Sequence, residues 1–400
     1  MLRSMYSGIS GMKNFQTKLD VIGNNIANVN TYGFKKGRVT FKDTMNQMVA
    51  GASAATDNRG GTNPMQIGLG SALATIDTIH TGSSLQSTGR ALDLGIDGDG
   101  YFVVKQGDQI LYTRAGNFYV DDNGTLVNSD GLKVQAYKSG VLEDIVVNVN
   151  ATLPALATNE IKLNGSLPDP STLKPGAGSD VQQMKIVDEK GVEHTLDYQY
   201  VVDAAGTGWE VKITNQKSTT DPKASISVAL AYDATNKTYT APADIDLATL
   251  ELTDAGTAKI NVDKLKQDGD SITAQANPNG NLSGKLESFN IGPTGEVNGV
   301  YSNGQIRSLG TVALAKFSNT SGLLKAGNNL FQETINSGTA NINVPGSGRG
   351  SIAAGSLEMS NVDLSEEFTE MIVTQRGFQA NTRIITTSDE ILQELVNLKR

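Results

Sequence analysis

The residues of this chain that could do chemistry are few and dispersed. Its 400 residues include two histidines, His80 and His194, and no cysteine. General acid–base catalysis needs a positioned partner within hydrogen-bond reach, and a serine nucleophile needs a histidine that is itself oriented by a third group. No acid–histidine–nucleophile set can be assembled around either histidine, and His194 falls in an alternating run where a surface or packed strand position is the default. The missing cysteines remove disulfides, thiolate zinc ligands and thiol nucleophiles together. Asp97-Gly98-Asp99-Gly100 and Asp121-Asp122-Asn123-Gly124 space their carboxylates like calcium loops. Neither continues to the acidic residue that closes an EF-hand loop, and turn chemistry accounts for both. Gly280 to Lys285 mimics a phosphate loop, but its glycine spacing is one short and Leu286 stands where Ser or Thr is required. The expectation is therefore no catalytic residue, no cofactor, no metal and no enzyme.

Charge and composition narrow the remaining classes. With 33 basic against 42 acidic residues the net charge is −9, and the basic residues are dispersed. A nucleic-acid binder gathers Lys and Arg on one face, so nucleic acid is not an expected partner. A hydrophobic share of 38% with 43 glycines and 6% aromatics suits small, turn-rich units. No apolar run approaches the roughly 20 residues that span a bilayer, so membrane insertion is not expected. Arg3 is followed by neither an apolar core region nor a small-residue cleavage site, so a cleaved signal peptide is not expected either.

The two ends carry helical periodicity. Leu2, Met5, Ile9, Met12, Phe15, Leu19, Ile22, Ile26 and Val29 recur at steps of three and four, one face of a helix. Gly8, Gly11 and Gly23 interrupt it, each costing up to about 1 kcal/mol relative to alanine, so the stripe needs a partner. At the other end Leu364, Met371, Phe378, Ile385 and Leu392 recur every seven residues, with Phe368 and Val396 at second seam positions. Asp363 with Glu366 three residues on reads as an N-cap and its reciprocal partner. From Leu364 to Arg400 this is a rod of about 55 Å, with Lys399 and Arg400 at the end that the helix dipole favours for cations. The heptad predicts a coiled coil, and packing between copies of the chain is expected to bury both stripes.

Between the helices the pattern changes to strands. Asp97-Gly98, Asp99-Gly100, Asn123-Gly124, Asp130-Gly131, Thr294-Gly295 and Asn303-Gly304 punctuate short β-branched or aromatic runs, which are hairpin signals. A hairpin is predicted through His194, Leu196, Tyr198 and Tyr200, returning along Trp209, Val211 and Ile213. The Pro- and Gly-bearing flanks at 164–178 and 277–284 read as linkers. The fold class is mixed and mainly β: nested β domains with N- and C-terminal α-helices pairing as a coiled coil. Residues 1–41 and 361–400 form a helical terminal domain. Residues 42–70 are a Gly/Ala/Asn-rich connector, extended or loosely ordered. Residues 71–145 and 285–360 make an inner β domain, and 146–284 an inserted outer one.

Several of these residues resemble a known family. Ser7-Gly8-Ile9-Ser10-Gly11-Met12, the run Asn24, Asn25, Ile26, Ala27, Asn28, and Thr31-Tyr32-Gly33-Phe34-Lys35 closely resemble the N-terminal signature of flagellar rod and hook axial proteins. Residues 88–102 resemble their shared first β motif. Gly355 to Leu364, with Asn361 and Asp363, resembles the approach to their C-terminal helix, and the run from Gln375 to Asn381 lies within it. The motifs fall within about 140 residues at the two ends, in the family's order. The resemblance implies a helical tube whose inner layer is the terminal helices and whose outer layers are β domains, around a channel that passes unfolded subunits. The insert and the length are similar to those of hook members, which form a curved, flexible tube transmitting torque as a universal joint. A distal-rod-type subunit is the alternative, and a surface adhesin a more distant one. The implied partners are further copies of the chain, the distal rod, the hook cap, the hook–filament junction proteins and the flagellar type III export apparatus. The implied location is extracellular, in the hook and basal body.

Overall fold

The computed structural model describes residues 2–54, 59–138, 140–148, 152–217, 224–233, 238–240, 245–252, 256–268 and 271–398. The chain divides into two compact units. The first comprises Met1–Val147, Phe289–Asn298 and Ser308–Arg400; the second comprises Asn148–Ser288 and Gly299–Arg307. The second unit thus takes a short return segment, 299–307, that the sequence reading had placed with the inner β domain.

In the first unit the chain opens with helix α1 (Leu2–Ala27) and closes with helix α2 (Leu364–Asn397). Lys399 and Arg400 lie outside the described residues. Asp363 caps α2, its carboxylate accepting from the N–H groups of Ser365 at 2.8 Å and Glu366 at 3.3 Å. Glu366 turns instead to Lys36 Nζ at 2.7 Å.

The stretch read as a loose connector is a long antiparallel ribbon. Strand β1 (Gly37–Asp43) pairs with β4 (Ser71–Thr78), and beyond them β2 (Asn46–Ala50) pairs with β3 (Met65–Gly68). The ribbon escaped the sequence reading because it lacks alternation. Nearly all of β2 and β3 is exposed on both faces, so no period of two in hydrophobicity is required.

The β body of this unit is a large, mostly antiparallel sheet whose central strands are Tyr101–Gln106, Gln109–Thr113 and Lys133–Lys138. Tyr101, Val103, Tyr112, Ala313, Ala315, Phe317, Leu323 and Phe331 fill its core, with edge-to-face aromatic pairs such as Tyr112–Phe317 at 4.8 Å. The predicted turn glycines close it where their type demands: Gly131 and Gly124 sit at positive φ, each donating back three residues along the chain. In two further small sheets, chain pieces far apart in sequence pair with one another. Leu94–Asp97 lies against Ser351–Ala354, and Leu85–Ser87 against Ser356–Glu358.

The second unit is built mainly on a nine-stranded sheet with its own core, including Leu196, Tyr198, Tyr200, Trp209, Val211 and Ile213. Glu193–Val202 and Trp209–Thr214 pair with Tyr200 opposite Val211, the register that alternation required. The flanks read as linkers carry strands, Glu160–Leu167 and Gln275–Pro278. Glu160–Leu167 runs parallel to Thr257–Gln267.

Candidate functional site: a helix pair and the joint beneath it

α1 and α2 lie antiparallel, and glycines on each helix face large or polar side chains of the other. A Cβ on Gly8 would stand 3.4 Å from Ile385 Cγ1, one on Gly11 2.8 Å from Asn381 Nδ2, and one on Gly377 2.7 Å from the Phe15 ring. The glycines that weaken each helix alone are what lets the two backbones approach. Lys18 and Glu370 close the pair with a 3.0 Å ion pair. On α2 the side chains turned into the protein are Glu367, Thr374 and Ser388, with Asn381 half-buried. They form a polar heptad running beside the apolar one. Thr374 and Ser388 satisfy their hydroxyls on backbone carbonyls four residues back, at 2.6 and 2.7 Å.

The predicted seam residues therefore divide. Ile22 is only 2% exposed and leaves no surface for a second copy. Met5, Met12, Leu19, Ile26, Met371, Phe378, Ile385 and Leu392 are half-buried. Ile9, Leu364, Phe368 and Val396 are exposed, together with five residues the predicted stripes did not include: Tyr6, Ile384, Ile391, Ile372 at 59% and Val373 at 62%. Leu2 is helical. The helix pair thus buries one side of itself and leaves an apolar strip uncovered.

Beneath the pair, the signature residues build a joint between helices and β body. Asn25 is buried; its Oδ1 accepts from Gly37 N–H and its Nδ2 donates to Gly37 C=O, both at 2.9 Å, and to Glu367 Oε2 at 3.1 Å. Burial pushes the Glu367 carboxyl up, and the Asn25 hydrogen bond opposes it. Asn361 accepts from Lys36 N–H at 2.7 Å and donates to Ile79 C=O at 2.8 Å, tying the segment before α2 to the ribbon. Asn28 caps the end of α1, its Nδ2 donating to Asn24 C=O at 2.9 Å and its Oδ1 accepting from Thr31. Gly33 sits at positive φ with its Cβ position 2.5 Å from Ala115 N, and its N–H donates to Glu358 C=O at 2.8 Å. Phe34 is buried. Ala27, Asn24 and Gln375 are exposed, and Asn381 meets Gly11.

At the centre of the joint lies a buried charge cluster that the sequence reading did not single out. Lys35 Nζ donates to Glu358 Oε1 at 2.6 Å and to Thr81 C=O at 2.8 Å, and Arg114 donates to Glu358 Oε2 at 3.2 Å and to Gly98 C=O at 2.9 Å. All three side chains are almost wholly buried. Burial pushes the Lys35 ammonium down and Glu358 pulls it back. Nearby, His80 Nδ1 and the Tyr101 hydroxyl share a 2.7 Å hydrogen bond. Burial first, then the charges of Lys35, Lys325 and Arg114, push the imidazole down to about 4. A half-buried histidine packed on Tyr101 and Phe331 has a packing role. His194 lies 3.1 Å from Asp188 in the second unit. Asp121 accepts from Thr125 N–H at 2.6 Å, as a turn aspartate does. Among the described residues no group of acids and histidines is placed to hold a metal, and no helix is long and apolar enough to cross a membrane.

Paired terminal helices with an uncovered apolar strip, hydrogen-bonded to a β body, suit a structural subunit rather than a catalytic one. Comparison with known proteins is consistent with that class. Three family models match in order: flagella basal body rod protein over residues 5–35, flagellar hook protein FlgE/F/G D1 domain over 95–166, and flagellar basal body rod FlgEFG protein C-terminal over 353–398. Flagellar hook protein FlgE of Borreliella burgdorferi is 39% identical, and flagellar basal-body rod protein FlgG of Bacillus subtilis 42% identical; each alignment covers 100% of both chains. The crystal structure of Helicobacter pylori flagellar hook protein FlgE2 shares the fold with a TM-score of 0.53 at 12% identity, over 68% of this chain and 100% of that one. The chain belongs to the flagellar hook and basal-body rod protein family. It is a structural subunit of the flagellar axis and not an enzyme, and membership implies polymerisation into that axis.

Proposed function

We propose that this chain is the hook subunit, assembling with further copies of itself into a curved, flexible tube that couples rod to filament. The carrying observation is the uncovered strip on the helix pair, centred on Phe368, Ile372 and Val373. Apolar area of this kind on a chain that polymerises is buried by neighbouring copies. In this reading 1–41 and 361–400 are the assembly domain, lining the inner wall. The β domains form the outer layers of the tube. Ile9, Leu364, Phe368 and Val396 contact neighbours directly, while Ile22 and the half-buried seam residues shape the pair that presents them. The distal rod, hook cap and hook–filament junction proteins are the proposed partners at the two ends. The flagellar type III apparatus is the proposed route of export, without cleavage, to an extracellular site.

The rod alternative is favoured by one observation. A relative named as a rod protein aligns over the full length of both chains, so length and the presence of an insert do not separate rod from hook. Electron microscopy of assembled protein does: curved tubes support the hook and straight ones the rod. Val373→Asp places an unpaired charge in the strip, at several kcal/mol per buried copy, and should abolish assembly while both units stay folded. A Val373→Asp chain that assembles normally sinks the proposed contact.

A further inference from the structure

The ribbon from Gly37 to Thr78 packs on α1 along its lower half and on nothing at its tip. Phe41 of β1 meets Phe15 edge to face at 6.4 Å, and Ser71 of β4 accepts from Asn14 Nδ2 at 2.8 Å. The last such contact is at Gly70, where a Cβ would meet Ser10 Oγ near the start of α1. Beyond it β2 and β3 continue uncovered. Residues opposite one another in an antiparallel pair share a side, and sides alternate along each strand. Leu69 N–H donates to Met45 C=O, and Ile67 lies opposite Gln47, so one side of the tip carries Met45, Leu69, Ile67 and Met65. These four are 37% to 79% exposed. The other side carries Asn46, Gly68, Gln66 and one apolar residue, Met48. No charged residue falls between Thr44 and Ala54 or between Gly60 and Gly70, although exposed strands ordinarily carry charge to keep copies apart.

An apolar sheet side is stable when another element covers it, and the lower ribbon already shows that a helix fits. The same unit leaves one helix row bare: Leu364, Phe368 and Ile372, four residues apart on the first turns of α2 and all exposed. We propose that the ribbon tip of one copy docks on this α2 row of a second copy. The inference rests on the polymer reading and names the two surfaces that meet. Within one chain they stand apart. The row lies beside the end of α1, since Asn25 reaches Glu367, whereas the tip leaves α1 at Ser10, about 20 Å of helix away. Each copy therefore offers its tip to one neighbour and its row to another. Such a head-to-tail contact adds copies without closing on a pair.

The chain has no cysteine, so cysteines placed singly report contacts between copies. Full-length chains carrying Ile67→Cys and others carrying Ile372→Cys are mixed, polymerised and oxidised with copper phenanthroline in air, and peptide mass spectrometry reads the disulfides. Met65→Cys serves as a second reporter on the same side of the tip. The expected result is a link from position 67 or 65 of one chain to position 372 of another, at least about tenfold scarcer in monomer at equal concentration. Gln66→Cys, on the other side, should link to position 372 several-fold less. Ile67→Asp should raise the critical concentration for assembly about tenfold, the scale of one buried aliphatic side chain. Ile67→Leu should leave it near the parent, and both monomers should melt as the parent does. Polymer without these links overturns the docking alone. So do tip-to-tip links in their place, equal linking through Gln66→Cys, or Ile67→Asp assembling at the parent's concentration. A parent chain that forms no polymer overturns the docking together with the reading it rests on.

Discussion

Asn25 and Gly37 exchange a pair of hydrogen bonds, each 2.9 Å, between the Asn25 side-chain amide and the backbone N–H and C=O of Gly37. The pair turns the end of α1 into the start of β1, and the spare Asn25 N–H reaches α2 at Glu367. Aspartate in place of Asn25 loses both donated bonds and sets a carboxylate against Glu367. Asn25→Asp should therefore destabilise the first unit by about 2–4 kcal/mol. Trp209 is the sole tryptophan and lies in the second unit. The loss should appear in far-UV circular dichroism melts and leave the tryptophan fluorescence transition in place.

Glu358→Gln should cost more, about 3–5 kcal/mol, because it leaves Lys35 and Arg114 buried without their counter-charge. Lys35→Met added to Glu358→Gln removes one of the two stranded cations and should recover part of the loss. A double-mutant cycle by denaturant titration reads the coupling; additive losses would show that the cluster is not a unit.

Gly377→Ala offers a test by sign. In an isolated helix alanine gains about 1 kcal/mol over glycine. Here its Cβ would stand 2.7 Å from the Phe15 ring, and overpacking of that kind costs about 1–3 kcal/mol. The variant should loosen the helix pair, seen as faster proteolysis within α1 and α2 of the monomer. Slower proteolysis would mean the helices do not approach as described.

His80 sets a pH dependence. Its folded value, about 4, lies below the ordinary 6.5, so the unfolded chain binds the proton more readily and stability rises with pH. The stabilising difference is fully present above about pH 6.5 and is lost as pH falls towards 4. The first unit's melting temperature should drop across that window. His80→Phe should flatten the drop, with carboxylate titration common to both proteins.

The apolar stripes of α1 and α2 are legible because helix periodicity survives in one dimension. The hairpin that brings Tyr200 and Val211 to one face is legible because alternation fixes which residues share a face. Three features are not. The ribbon from Gly37 to Thr78 lacks alternation, since both faces of its outer part are exposed. The seam of Glu367, Thr374, Asn381 and Ser388 repeats every seven residues, yet polar residues on a helix read as a solvated face until a glycine-lined partner is seen opposite. Lys35, Arg114 and Glu358 are isolated charges in sequence; only Lys35 and Glu358 stand inside runs that resemble the family, and nothing local marks them as partners. That Ile22 is internal while Val373 is bare depends on which way α2 is rotated, which the cap at Asp363 and the joint at Asn25 decide.

The Lys35–Glu358 bond spans 323 positions of the chain. A contact of that separation cannot form until nearly all of the polypeptide is present, and closing so large a loop is slow. The second unit holds a core drawn from a contiguous stretch and can fold early. The first unit, its ribbon and its helix pair must wait for the last 45 or so residues. A chain emerging progressively from its N-terminus would therefore complete its exposed apolar strip only at the end, after the second unit has folded.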